Sequence, residues 1–361
     1  MKYRLNLAQM NRNFELDILR GLTIALMIIV DAPPDAIYKT LQHSAWQGLT
    51  LADTVFPAFV FAMGAATAFS ISRRQPSLKK ICRRAGLLFF AGILLNGLTF
   101  FCYGLEHFRF FGILQRLATV YFFGMLILLK LKSAAQISAA AFLLLIISSA
   151  GFHIYAPENP FDEMKNISGA ADLIFPGVNH IYEKTHDPEG IYGNLASTAT
   201  MLFGILTGKF LLKKERWKIL LYGAGILILG YGWSYFDIVS KKIWTAPFAL
   251  LNAGGDMILI AVLGILFEKL PRSKKFFRPF DSLGKNPLFF FLLSNVLVIL
   301  MCTIEIEGVP IWILIYQKTF AGLIGVEFGA LIFCVNWCAL LIIPAEFLNR
   351  RGIIIKIGNS N

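Results

Sequence analysis

Charge is scarce in this chain. Asp, Glu, Lys and Arg make up 16% of its 361 residues, against about a quarter in soluble domains. So little charge cannot clothe a soluble surface of this size, which excludes an ordinary globular enzyme. Cysteine is also sparse: there are five, none in a CxxC pair. Cys334 and Cys338 stand four apart with no histidine beside them, so neither a zinc site nor a disulfide framework is expected, and no metal is assigned. Cys102 and Cys302 fall near expected outer helix ends, but spacing does not pair them. Internal repeats are absent by inspection, which argues against an inverted-repeat carrier with matched broken helices.

Apolar residues are what the chain has, at 57%. Segments of about 20 apolar residues recur along its length, each long enough to cross a hydrocarbon core of about 30 Å. The expected fold class is all-α: a polytopic membrane protein with about ten helices in one bundle, at 14–31, 50–72, 81–103, 110–130, 134–154, 191–212, 217–238, 247–268, 285–304 and 325–347. The first carries Asp17 and Arg20 and no small-residue cleavage site, so it reads as a retained helix rather than a signal peptide. Residues 309–324, with Lys318 inside, read as an amphipathic or re-entrant helix. Gly223, Gly225, Gly230 and Gly232 read as close-packing positions.

The net charge of +12 does not imply nucleic acid. The basic clusters "RRQPSLKKICRR", "KKERWK" and "KLPRSKKFFR" occupy alternate connections, the positive-inside pattern. Both termini are therefore expected in the cytoplasm, and the acidic connection 155–190 outside, as a loop of a single integral domain spanning 1–361. Membrane lipids are expected partners, and a homodimer is left open.

Ionisable groups within the bilayer cost roughly 2.5–3.5 kcal/mol or more at a helix centre, so each needs a reason. Asp17 and Arg20 lie three apart and can neutralise each other. Asp31 closes the first helix in "IIVDAPP". Asp53 sits in the first turn of the second helix, where capping alone accounts for a carboxylate. His43 is harder to set aside. In "LQHSAWQGLTLADTVFP" an imidazole, which titrates near neutrality, stands ten residues before Asp53 with Trp46 between, a combination suited to a general base. "FFGILQRLATVY" sets Gln115 and Arg116 about two turns below the outer surface. Arginine there needs an anion, a carbonyl or water, and Asn96 can line the same polar cavity. "THDPEGIYGN" brings His186, Asp187 and Glu189 to the start of the sixth helix. There they can hold a cationic amino group or simply cap and solvate.

These stretches resemble one family. "LDILRGLTIALMIIV", "HSAWQGLTLADTVFPAFVFAMG" and "GILQRLATVYF", followed in order by "DPEGIYGNL", "KKIWTAPF" and "GKNPLFFF", are similar to the heparan-α-glucosaminide N-acetyltransferase family and its bacterial relatives, from about residue 14 onward. The resemblance implies a transmembrane acetyltransferase that moves acetyl from cytosolic acetyl-CoA to a glucosamine amine on the outer side. It makes His43 the catalytic histidine and matches Asp53 and Arg116 to family positions.

On that reading Asp31 or Asp53 orients the ring, and Asn96, Gln115 or Trp46 donates to the oxyanion. Arg116 and Arg20 meet the CoA phosphates, and His186, Asp187 and Glu189 meet the amino sugar. The family usually has asparagine where this chain has Asp31, and a carboxylate there would raise the basicity of a nearby imidazole or select another acceptor. Lysosomal members carry an N-terminal extension that this sequence lacks, so the expected location is a bacterial inner membrane. An amino-sugar carrier and an O-acetyltransferase of envelope glycans remain the alternatives.

Overall fold

The computed structural model describes residues 13–73 and 75–355. The expectation for the two termini lies outside the described residues. Helices account for the architecture: α1 (Phe14–Asp31), α2 (Leu51–Arg73), α3 (Leu78–Cys102), α4 (Ile113–Lys130), α5 (Ala134–Tyr155), α6 (Ile167–Ile174), α7 (Asn194–Leu212), α8 (Arg216–Trp233), α9 (Ala246–Lys269), α10 (Arg278–Lys285), α11 (Pro287–Thr303), α12 (Ile311–Tyr316) and α13 (Val326–Arg350). One hairpin, Glu305–Ile306 with Val309–Pro310, is the strand structure among the described residues.

Every segment expected to cross the membrane is helical, but the count of about ten does not carry over by length and composition. Among the described residues seven helices are long and apolar enough to span, and α10 with α11 makes an eighth if that bent pair is one span. The shortfall has physical causes. α1 holds Glu15, Asp17, Arg20 and Asp31 in 18 residues, and α8 is also 18 residues long with Arg216 and Lys218 in its first turn. The segment expected over 285–304 is bent by 86° from α10, because Pro287 cannot donate to the preceding turn. Asn286 holds that break through Ile353 O at 3.1 Å and Ile355 N at 2.7 Å. Residues 309–324 form α12 and a π-helical turn, Gln317–Ala321.

The chain divides into two compact units, residues 13–42 with 259–355 and residues 43–258. In the first, α1 crosses α10 with almost no separation. A Cβ on Gly21 would lie 1.8 Å from Phe280 O, and one on Gly284 1.8 Å from Asp17 O. Trp312 packs edge-on against Phe333 and Trp337 and donates to Ala32 O at 3.2 Å.

In the second unit α7 is the central helix, buried along most of its length. α2 lies against it through Gly64 and Gly204, where a Cβ would meet Met201 O at 2.2 Å and Phe61 O at 2.0 Å. Small residues at a crossing let backbones meet where lipid offers no hydrophobic drive. Of the four α8 glycines expected to pack closely, Gly223 and Gly230 do so, against Met257 and Leu250, whereas Gly225 and Gly232 face open space.

Successive helices in this unit alternate in direction, so four connections gather at one end: 43–50, 103–112, 156–193 and 234–245. Backbone bonds tie them together, Gly48 N to Val239 O at 2.8 Å and Phe110 N to His180 O at 2.9 Å. The basic connections between α2 and α3 and between α7 and α8 belong to the other end.

Candidate active site

The start of α2 builds the first part of the site. Thr50 and Asp53 form a capping box: Thr50 N donates to Asp53 Oδ2 at 3.1 Å, and Asp53 N donates to Thr50 Oγ1 at 3.3 Å. Such reciprocal pairs satisfy the orphan donors of a helix start. Asp53 Oδ2 also accepts from Ser44 N at 3.1 Å and Thr50 Oγ1 at 3.0 Å. The other oxygen, Oδ1, lies 2.9 Å from His43 Nδ1. One carboxylate thus caps the helix with Oδ2 and holds the imidazole with Oδ1. Asp53 is fully buried while the His43 side chain is 43% exposed.

An acceptor-only carboxylate on Nδ1 fixes the proton there and leaves the Nε2 lone pair outward, the tautomer a general base requires. Lys241 Nζ lies against this ring, 3.1 Å from each nitrogen. Trp46, three residues on, donates Nε1–H to Phe161 O at 3.0 Å and meets His186 edge-on at 5.2 Å.

A cationic and acidic network fills the space behind. Arg109 forks onto Asp187 through Nε to Oδ2 at 3.0 Å and Nη2 to Oδ1 at 2.7 Å, and also pairs with Glu189. The remaining capacity of Asp187 goes to Tyr182 N and Glu189 N, both at 2.9 Å. Asp172, on α6, accepts from Asp187 N at 3.0 Å and Ile191 N at 2.9 Å. Gly190 is required beside it, because a Cβ there would sit 2.1 Å from Asp172 Oδ2.

Arg116 is 1% exposed. Its Nη2 donates to Gly190 O at 2.9 Å and its guanidinium lies 5.0 Å from the centre of the Trp244 ring, while Nε and Nη1 have no hydrogen-bond partner. Burial pushes the Asp172 carboxyl up to about 6. Burial would also raise Glu189, but Arg109, Arg116 and Lys241 hold it below the ordinary glutamate range. Burial lowers the His186 imidazole, against the pull of Glu183.

Residues 12–229 match the family described as heparan-alpha-glucosaminide N-acetyltransferase, catalytic. The chain belongs to this family. Two curated relatives, the heparan-alpha-glucosaminide N-acetyltransferases of Homo sapiens and Mus musculus, are similar to it. They are 30% identical over 316 residues and 27% identical over 280. The alignments cover 68% and 61% of this chain but 47% and 42% of those proteins. The chain therefore spans about half the length of the relatives it matches.

The matched stretch of this family member contains His43, Asp53, Arg109, Arg116, Asp172, His186, Asp187 and Glu189, and ends before Lys241 and Trp244. Asn96 and Gln115 lie in it too. Asn96 Nδ2 holds Arg109 O at 3.0 Å and Phe111 O at 3.1 Å, and Gln115 Nε2 holds Phe110 O at 3.0 Å. These side-chain N–H groups, like the indole N–H of Trp46, donate to loop carbonyls.

Arg20 and Asp31 lie in the first unit. Arg20 Nη1 pairs with Asp17 Oδ1 at 3.2 Å, one turn away, and Asp31 is exposed at the end of α1. Sequence reading missed Lys241, Arg109 and Asp172. Arg109 stands three residues before "GILQRLATVYF", and Lys241 opens "KKIWTAPF", so both lay within or beside segments already singled out. Nothing local marks Asp172.

Proposed function

We propose that this chain is a membrane acetyltransferase that takes acetyl from acetyl-CoA and gives it to the amino group of a glucosamine-type sugar. The family supports the reaction class. The single observation that carries the site assignment is the His43–Asp53 pair, with its buried carboxylate and outward Nε2.

In this reading the amine nitrogen attacks the thioester carbonyl carbon, and Nε2 of His43 takes the N–H proton as the C–N bond forms. Asp53 keeps the ring oriented through Nδ1–H and stabilises the imidazolium. Positioned bases of this kind contribute about 10²–10⁴ in rate. Arg116, whose buried Nε and Nη1 are unpartnered, is assigned to the carbonyl groups at the thioester end of the donor. Arg109, Asp187 and Glu189 are assigned to locking the outer loop onto the 103–112 connection, since their polar atoms already pair with one another.

The sidedness follows from charge. Basic connections mark the cytoplasmic side, so we place the His43 end outside and the CoA phosphates inside. Counting α1, α8 and α11 as spans gives ten crossings, with both termini on the cytoplasmic side.

The test is thiol release from acetyl-CoA with glucosamine as acceptor, with the N-acetylated sugar identified by mass. His43→Ala should abolish turnover while the protein melts like wild type; undiminished turnover rejects the assignment. Glucosamine flux into proteoliposomes without acetyl-CoA, and no acetylated product, would favour a carrier.

A further inference from the structure

Removing the amine proton is half of the proton traffic. The C–S bond must also break, and the CoA sulfur leaves more readily when a proton meets it as the bond breaks. The residue placed for this lies beyond residues 12–229.

Lys241 sits on a short turn. Ser240 N donates to Thr245 Oγ1 at 3.1 Å, Trp244 N to Lys241 O at 3.2 Å and Thr245 N to Ser240 O at 3.2 Å. The turn holds Trp244 at φ 49° although the residue is buried, a conformation that costs roughly 1–2 kcal/mol for a bulky side chain. Gly48 N to Val239 O fastens the turn to the His43 segment. Neighbouring lysines are then sent different ways: Lys242 to Glu183 in the outer loop, and Lys241 to His43. Lys241 also lies close enough for its charge to act on Glu189.

We propose that Lys241 is the acid of the reaction, delivering the proton that the departing CoA sulfur takes up. This rests on His43 being the base. As the C–N bond forms, the amine proton passes to His43 Nε2. As the C–S bond breaks, the Lys241 ammonium gives a proton to sulfur. The Nε2 proton then moves across the 3.1 Å contact to the Lys241 amine, which restores both groups. The net change is one proton carried from amine to thiol, with no redox step.

Lys241→Met and Lys241→Arg test this. With acetyl-CoA, kcat should fall about 100-fold in both, because methionine has no proton to give and arginine does not release one at accessible pH. KM for glucosamine should change less than threefold. With the acetyl thioester of an acidic aryl thiol, which needs no proton to leave, the Lys241→Met deficit should shrink to under tenfold. Equal deficits on the two donors, or a fully active Lys241→Arg enzyme, overturn the proposal.

A substrate-free readout stands beside these. In ¹⁵N-histidine-labelled protein, Lys241→Met should move the His43 ring-nitrogen resonances, since Nζ lies 3.1 Å from both nitrogens, and an unmoved Nε2 overturns the contact. Should His43→Ala stay active, the base assignment itself has failed. An inactive His43→Ala with an indifferent Lys241→Met removes only the acid.

Discussion

Two histidine–aspartate pairs stand at the same end of the second unit, and at first sight they are equivalent. His43 meets Asp53 at 2.9 Å and His153 meets Asp237 at 2.8 Å; the histidines are 43% and 46% exposed and the aspartates are buried. What differs is the far side of each ring. His43 is gripped through Nδ1, which leaves Nε2 unbound by Asp53, and Lys241 Nζ lies 3.1 Å from both nitrogens. His153 is gripped through Nε2 and stands edge-on to Phe161 at 5.5 Å, while Asp237 also accepts from Ser149 Oγ at 2.6 Å and Trp233 Nε1 at 3.1 Å. The second pair joins α5 to the end of α8. What separates the two pairs is therefore the cation against the ring, not the dyad itself.

The sharpest way to break this comparison is to disarm each aspartate in turn. Asp53→Asn keeps an oxygen for the helix cap but no longer dictates the His43 tautomer, and should lower kcat by about 10²–10⁴. Asp237→Asn should leave kcat within about threefold of wild type and lower the melting temperature instead, because a buried acceptor loses part of its bonding. Equal losses of rate in acetyl-CoA turnover would make the pairs equivalent.

The next largest effect tests whether the outer-loop network is scaffold. Arg109→Met strands Asp187 and Glu189 as buried carboxylates without their cation, and breaking such a pair costs about 3–5 kcal/mol. The expected readout is a large loss of thermal stability in detergent, with acetyl-CoA affinity changed less than fivefold. A variant that keeps its melting temperature and loses amino-sugar binding would return these carboxylates to the acceptor.

A smaller effect separates the two jobs of Asp53. Thr50→Ala removes the hydroxyl that both caps α2 and donates to Oδ2, at a cost of about 1–2 kcal/mol. Turnover should fall only a few-fold, because Oδ1 still holds His43. A collapse of turnover matching Asp53→Asn would mean that the cap, rather than the imidazole contact, is what the rate depends on.

Much of this was legible in the chain because it is local. Apolar runs located the helices, and the capping pair of Thr50 with Asp53 lies close enough to His43 for ten residues of sequence to bring ring and carboxylate together. Asp17 and Arg20 pair as their spacing implies. What failed to show was set by distance along the chain. Lys241 reaches His43 across 198 residues, Arg109 reaches Asp187 across 78, and His153 reaches Asp237 across 84. No periodicity encodes which connections share an end. The α10–α11 bend was hidden for another reason: the apolar run begins at the break itself, and the short polar α10 before Pro287 carries no span-length pattern.

The smallest predicted effect concerns Asp172, the acceptor behind both pairs of loop contacts. Burial raises its carboxyl from 3.8 to about 6, with Asp187 adding repulsion and Arg116 and two backbone N–H groups opposing. A folded-state value above the unfolded one means that the native protein binds the proton more tightly. Its contribution to stability is then complete below about pH 4 and lost as pH rises through about 6. Glu189 and its cations act in the opposite sense, their contribution being complete above the unfolded glutamate value and lost as pH falls below it. The isolating measurement is therefore the difference between wild type and Asp172→Asn, in which the other groups cancel. Between pH 7 and pH 5 the wild-type protein should gain on the variant by about 1 kcal/mol or less, since one unit is worth about 1.4 kcal/mol and only part of the titration falls in that window. A melting-temperature gap that stays constant, or narrows on acidification, would mean that Asp172 is not the proton-binding group behind the outer loop.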